Sequence, residues 1–227
     1  HLVNIIIVSF GMMVFKIDDP KAFCLGDADY PIYTKVPRGV EDSPKYAPYG
    51  KDTRWKVTGA IYGLIQASLR YFLKSKDVME GLGFRQCAFA KTVFIKHFNS
   101  KRRFLIFWQH VDDRWGGCQT DEDLEWFVGA LKEQLNSARE AATDVLGLDC
   151  EYQREQGVMR LRATTKIAAF LEKNHFEQVT MHDTPMTPSM VPHLTLANTP
   201  STMAQQAVMK DKVKEYRTCV GFFCYIT

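Results

Sequence analysis

The chain has 227 residues, 46% of them hydrophobic and 15 of them Phe, which excludes a disordered chain and allows a sizeable core. Its formal charge of +3, from 29 basic and 26 acidic side chains, permits a local basic patch but does not by itself argue for nucleic acid. The six cysteines (24, 87, 118, 150, 219 and 224) form no Cys-x-x-Cys pair and no Cys/His spacing suited to zinc, so free thiols are expected.

The opening run, HLVNIIIVSFGMMVF, is apolar but is split by Gly11 and followed by Lys16, short of the ~20 residues a spanning helix needs. It reads as core, with no membrane association. Residues 1–10 are expected as helix and Met12–Ile17 as a strand delivering Asp18, with Asp19-Pro20 ending it. The stretch 27–53, rich in Pro, Gly and Tyr, reads as loop with a short strand near Ile32–Lys35. Ala60–Leu82 carries apolar residues at helical spacing and stops at Gly81-Leu82-Gly83. Thr92–Phe98 and Phe104–Val111 suit a hairpin. Thr120-Asp-Glu-Asp123 resembles a capping box opening a helix through Leu135. Val145–Gln153 and Val158–Arg162 suit a second hairpin, and Thr164–Phe176 a helix. Residues 180–203, rich in Pro, Thr, Ser and Met, mark a linker before a last helix from Ala204 to Ile226. This order implies an α+β fold, an antiparallel sheet backed by helices on one face.

The segment that carries chemistry is FLIFWQHVDDRWGG, Phe104–Gly117, an apolar strand ending in Asp112 and Asp113. Two adjacent carboxylates repel each other and resist desolvation, costs that a divalent cation removes. Asp-Asp before Gly116-Gly117 also suits a plain turn. Asp18 ends an apolar strand too, and a central antiparallel sheet could set it beside that turn. Three converging carboxylates would then hold two Mg²⁺ ions in the arrangement of in-line phosphoryl transfer.

These residues carry a resemblance to the reverse transcriptase domain of copia-type retrotransposons. Asp18-x-x-x-Ala22-Phe23-x-x-Gly26-Asp27 resembles the first catalytic block, and Ile32-Tyr33-x-Lys35-x-Pro37-x-Gly39 follows it. Ile61-Tyr62-Gly63-Leu64-Ile65-Gln66-Ala67 resembles the LYGLKQ(A/S) segment, and Leu82-Gly83-Phe84 and Phe94-Ile95-Lys96 the next landmarks. His110-Val111-Asp112-Asp113 stands where the family has YVDD, and Leu146-Gly147-Leu148 resembles its LGI hairpin. Thr184-Pro185 and Tyr216-Arg217-x-x-Val220-Gly221 complete the order.

The resemblance implies a polymerase palm over residues 1–179, the linker 180–203, and over 204–227 the start of a connection-like region, with the fingers largely missing. It implies RNA-directed DNA synthesis on an RNA or DNA template-primer from deoxynucleoside triphosphates, inside the cell, with two Mg²⁺ or Mn²⁺ ions. Asp18, Asp112 and Asp113 would be the catalytic metal ligands, with the Asp19 backbone carbonyl as a further donor. Phe23 would gate the incoming sugar, Tyr62 and Gln66 would face the nucleotide, and Leu146, Gly147 and Leu148 would grip the primer. A catalytically dead remnant that folds and binds nucleic acid is the alternative.

Several residues depart from the family pattern. Arg114 after the paired aspartates is expected to pair with one of them and compete with metal. Gly116 and Gly117 are expected to weaken the return strand. His110 replaces Tyr, Ser68 replaces Pro, and no lysine lies between Leu135 and Leu146. Lys101-Arg102-Arg103 offers either phosphate contacts or a solvated hairpin tip. Trp108, Trp115 and Trp126 could stack bases but are expected mostly in the core.

Overall fold

A computed structural model describes residues 1–37, 39–40, 44–45, 53–100, 102–176 and 202–226. The chain divides into two compact units, His1–Arg162 and Ala163–Thr227.

The first unit opens with α1 (Leu2–Ser9), β1 (Met13–Asp18), α2 (Ala22–Leu25), β2 (Asp27–Lys35), β3 (Arg54–Gly59) and α3 (Ala67–Gly81). It continues through β4 (Arg85–Gln86), β5 (Val93–His97), β6 (Phe104–His110), β7 (Asp113–Cys118) and α4 (Asp121–Leu135). The last strands are β8 (Ala138–Glu140), β9 (Asp144–Val145), β10 (Leu148–Gln153) and β11 (Val158–Arg162). Six strands form an antiparallel sheet in the order β4-β5-β6-β7-β1-β8, with β2–β3 as a separate ribbon and β9–β11 as a small three-stranded sheet.

The α+β antiparallel architecture agrees with expectation, but the large sheet is covered on both faces. Phe15, Ile17, Leu105 and Phe107 pack with Met79 of α3 and Leu124, Phe127 and Leu131 of α4. On the opposite face Phe104, Ile106 and Trp115 pack with Val3 and Ile7 of α1 and Val145 of β9. A strand buried on both sides has no polar face to show, which is why β6 reads as a continuous apolar run rather than an alternation.

The strand β7 overturns one expectation. Gly116 and Gly117 do not weaken it; close approach requires them. A Cβ on Gly116 would lie 2.3 Å from the Ile106 carbonyl oxygen and 2.6 Å from the Phe15 ring. A Cβ on Gly117 would lie 2.7 Å from Ile7. The missing side chains leave room for the aromatic rings and the helix packed on either face.

Two segments fold differently from their reading. The short strand expected near Ile32–Lys35 extends back to Asp27 as the nine-residue β2, where loop was expected, and it pairs with the unforeseen β3. In β3 the half-buried Trp55 and Val57 alternate with exposed Arg54, Lys56 and Thr58, but the strand is short and follows a proline-rich stretch of sequence. The helix expected from Ala60 begins at Ala67 instead. The Ala60 N–H donates to the Gly26 carbonyl at 2.7 Å, and Gly63 takes φ +95°, so residues 60–66 form turns.

The Thr120 cap forms as expected. The Asp123 N–H donates to Thr120 Oγ1 at 3.3 Å, and the Thr120 hydroxyl donates to Asp123 Oδ2 at 2.8 Å. The second unit contains α5 (Thr164–Lys173) and α6 (Met203–Ile226), in which Phe170 and Phe222 stack with ring centroids 4.0 Å apart. Most of the expected linker, with Thr184-Pro185, lies outside the described residues. Among the described residues no helix is long and apolar enough to cross a membrane.

Gly116→Ala should destabilise the chain by about 1–3 kcal/mol or more through overpacking. Gly129→Ala, on the exposed face of α4 with open space around it, should stabilise by about 0.5–1 kcal/mol through helix propensity. Urea denaturation of the two variants should separate them in sign.

Candidate active site

The hairpin of β6 and β7 closes at the His110–Asp113 pair, leaving Val111 and Asp112 as a two-residue turn. Val111 sits at φ +55°, a left-handed conformation that a β-branched residue adopts only under constraint. Such a conformation costs about 1–3 kcal/mol and persists where the surroundings over-determine it, often at functional sites. Gln109 Nε2 donates to the Val111 carbonyl at 2.8 Å. The backbone N–H of Asp19 donates to the Asp112 carbonyl at 3.1 Å, tying the end of β1 to the turn.

Strand register aligns the carboxylates. Ile17 lies opposite Arg114, so one further step sets Asp18 opposite Asp113. Side-chain alternation turns both toward the face that carries Lys16 and Trp115. Burial, followed by repulsion from Asp112, Glu140 and Asp113, pushes the Asp18 carboxyl up. Burial also raises Asp113, opposed by the nearby Lys16 charge and assisted by Asp112. Lys16 Nζ donates to Asp144 at 3.1 and 3.2 Å and pairs with Glu140 at 3.1 Å. Burial works to lower the Lys16 pKa, but these carboxylates prevail and raise it.

These are hard oxygen donors of the kind that Mg²⁺ and Mn²⁺ take, and their mutual repulsion is what such an ion relieves. Among the described residues no three acidic, His or Cys side chains are already gathered tightly enough to enclose an ion. The donor set fits a divalent cation in its chemistry. The Asp19 carbonyl accepts from the Ala22 N–H at 3.1 Å and retains a second lone pair.

Arg114 behaves differently from expectation. Its side chain turns to the opposite face from Asp113 and pairs not with the turn aspartates but with Asp19, both groups being fully buried. Arg114 Nη2 also donates to Ser75 Oγ at 2.7 Å and Tyr71 Oη at 3.2 Å, both on α3. The Ser137 hydroxyl makes a short hydrogen bond to Asp19 Oδ1. Burial pushes the Asp19 carboxyl up, while Arg114 and Ser137 pull it down. The guanidinium thus neutralises a buried carboxylate and leaves the carboxylates on the other face free of it.

The other candidate residues fall into smaller groups. Phe23, half-buried on α2, meets the exposed Tyr62 edge-on with centroids 4.9 Å apart. Gln66 Nε2 donates to Tyr30 Oη at 3.0 Å. Leu146 and Gly147, both at positive φ, form the tight turn between β9 and β10. Leu146 and Leu148 line a cavity of about 470 Å³ with Trp108 and His110, so this hairpin shares a cavity with the end of β6, the strand that leads into the aspartate turn.

Of the basic cluster, Lys101 lies outside the described residues, and Arg103 is bound to the protein itself. Arg103 grips Asp123 through Nε at 2.8 Å and Nη2 at 2.9 Å. Although burial opposes it, this contact with the Thr120 hydrogen bond holds the Asp123 carboxyl below its ordinary value. Trp115 is buried with its indole N–H donating to Asn4 Oδ1 at 2.8 Å, while Trp126 is partly exposed beside Lys96.

Sequence reasoning overlooked Lys16, Glu140, Asp144, Ser75, Gln109 and Ser137. Lys16 was recoverable, since two residues before Asp18 on a strand means the same face. Tyr71 and Ser75 share a helix face by their four-residue spacing, but nothing local names Arg114 as their partner.

Two measurements check this electrostatic account. Asp19→Ala strands a buried guanidinium and should cost about 3–5 kcal/mol, whereas the joint change Asp19→Val with Arg114→Met should be close to neutral. Denaturant titration of both variants reads the difference. The raised carboxylates Asp18 and Asp113 favour folding while protonated. Their contribution is present at and below the ordinary carboxylate range and is lost as pH rises through their raised values. In metal-free buffer Asp113→Asn should therefore raise the melting temperature at pH 7 relative to the native chain, and a gain that does not shrink toward acid pH contradicts this.

Comparison with known proteins agrees with the ordered motifs. The family model described as reverse transcriptase (RNA-dependent DNA polymerase) matches residues 1–188. The retrovirus-related Pol polyprotein from transposon TNT 1-94 of Nicotiana tabacum is 25% identical over 224 residues, covering 96% of this chain. The chain spans 16% of that polyprotein's length. The resemblance to copia-type elements is thereby upheld, and the chain belongs to the reverse transcriptase (RNA-dependent DNA polymerase) family.

Proposed function

We propose that residues 1–179 act as the palm of an RNA-directed DNA polymerase that extends a primer on an RNA or DNA template from deoxynucleoside triphosphates. The observation that carries this reading is the pairing of β1 with β7, which aligns Asp18 and Asp113 on one face beside the constrained Val111–Asp112 turn. Asp18, Asp112 and Asp113 would hold two Mg²⁺ or Mn²⁺ ions, with the Asp19 carbonyl available as a further donor. Such ions, when bound, activate the primer hydroxyl and neutralise charge on the triphosphate.

The remaining residues orient substrate in this reading. The Phe23–Tyr62 edge contact supplies a rigid aromatic wall against the incoming sugar, and Gln66 with Tyr30 supplies hydrogen-bonding groups nearby in sequence to that wall. The Leu146-Gly147-Leu148 turn borders the same cavity as His110, a suitable place for a hairpin that steadies the primer strand. Residues 180–203 serve as a linker, and 204–227 as the start of a following region.

A second reading, a remnant that folds and binds nucleic acid without catalysis, draws on one observation. Lys16 stands on the carboxylate face among Asp144 and Glu140, close enough to oppose the rise of Asp113, where its charge competes with a cation. Primer extension separates the readings, using this chain and a longer protein that contains it. Divalent-dependent extension that falls about a hundredfold or more in Asp112→Asn supports the polymerase. Nucleic-acid binding without extension in both proteins supports the remnant.

A further inference from the structure

The buried polar side chains between α3 and the sheet form a directed series of hydrogen bonds. Arg114 has donors only, so its Nη2 contact at 2.7 Å makes Ser75 Oγ an acceptor. The Ser75 hydroxyl proton then goes to Gln109 Oε1 at 2.8 Å. With Oε1 occupied, the Gln109 amide cannot flip, and its Nε2 is committed to the Val111 carbonyl at 2.8 Å. At its other end Arg114 pairs with Asp19, whose backbone N–H holds the Asp112 carbonyl at 3.1 Å. Both carbonyls of the turn are therefore held by one network. Ser75, Gln109, Arg114 and Asp19 are all buried, so water does not compete for these bonds.

We propose that Asp19, Arg114, Ser75 and Gln109 are positioning residues that fix the strained Val111–Asp112 turn and so aim the Asp112 and Asp113 carboxylates. The network grips the turn in the free protein; only its consequence for a cation rests on the polymerase reading. Arg114 sets the sense of the whole series. A residue with an acceptor at its place would release the Ser75 proton and allow Gln109 to present oxygen to oxygen at Val111.

Two small changes cut the series without stranding a charge in a new place. Ser75→Ala removes the relay hydroxyl, and Gln109→Met removes the amide at similar volume. Amide hydrogen exchange of the metal-free chain is read at Val111–Asp113, with Leu105–Phe107 of β6 as the internal reference. Mn²⁺ affinity is read by electron paramagnetic resonance on the same proteins, with Asp112→Asn as control. Exchange at the turn should accelerate about tenfold relative to β6 in both variants, and Mn²⁺ affinity should fall about tenfold, as losses of supporting partners commonly do.

Unchanged turn exchange relative to β6 overturns the proposal, as does a loosened turn with undiminished Asp112-dependent Mn²⁺ binding. An equal acceleration at turn and β6 also overturns it, because that marks general destabilisation. If the native chain shows no Asp112-dependent Mn²⁺ binding, the metal reading fails, and the exchange ratio alone decides the positioning role.

Discussion

The contact between Arg114 and Asp19 is the constraint on which the site depends. Each charge removed from water alone would cost several kcal/mol, so neither side chain is tolerable in the core without the other. Their mutual need fixes three elements together. Arg114 belongs to β7, Asp19 follows directly on β1, and Tyr71 and Ser75 bring α3 against both. A pair of apolar residues could fill the same volume with equal stability but would not specify which carbonyl faces which donor.

This arrangement resolves an electrostatic conflict. Asp18 and Asp113 lie on one side of the sheet, each repelled by Asp112 of the turn, and a neighbouring guanidinium on that side would discharge them. Strand alternation sends Arg114 to the other side, where Asp19 receives it. Lys16 remains on the carboxylate face, but Asp144 and Glu140 share its charge. The face therefore keeps a surplus of negative charge beside the strained turn, the feature from which the proposed cation chemistry follows.

Much of this was legible in the residues, and the failures have definite causes. The β1 strand, the β5–β6 hairpin and the α4 cap are announced by local pattern, so their reading survives. Gly116 and Gly117 were read as weakness because propensity concerns the strand alone, whereas Phe15, Phe107 and Ile7 decide what fits there. Arg114 was assigned to its nearest carboxylates in sequence, because its partners on α3 lie some forty residues away in the chain. The β3 strand hid among charged residues whose exposed face carries no signal of its own. Family membership was the most legible property, since it rested on the order of motifs rather than on any single contact.

In the proposed polymerase, Asp18 and the Asp112–Asp113 turn form one cation site on the face of β1 and β7. Nuclear magnetic resonance of the chain titrated with substoichiometric Mn²⁺ tests it directly, because paramagnetic broadening marks the residues around the ion. Amide signals of Asp18, Asp112 and Asp113 should broaden first, with Asp112→Asn weakening the effect. Broadening centred elsewhere, such as on the exposed acidic first turn of α4, or an effect indifferent to Asp112→Asn, would contradict it.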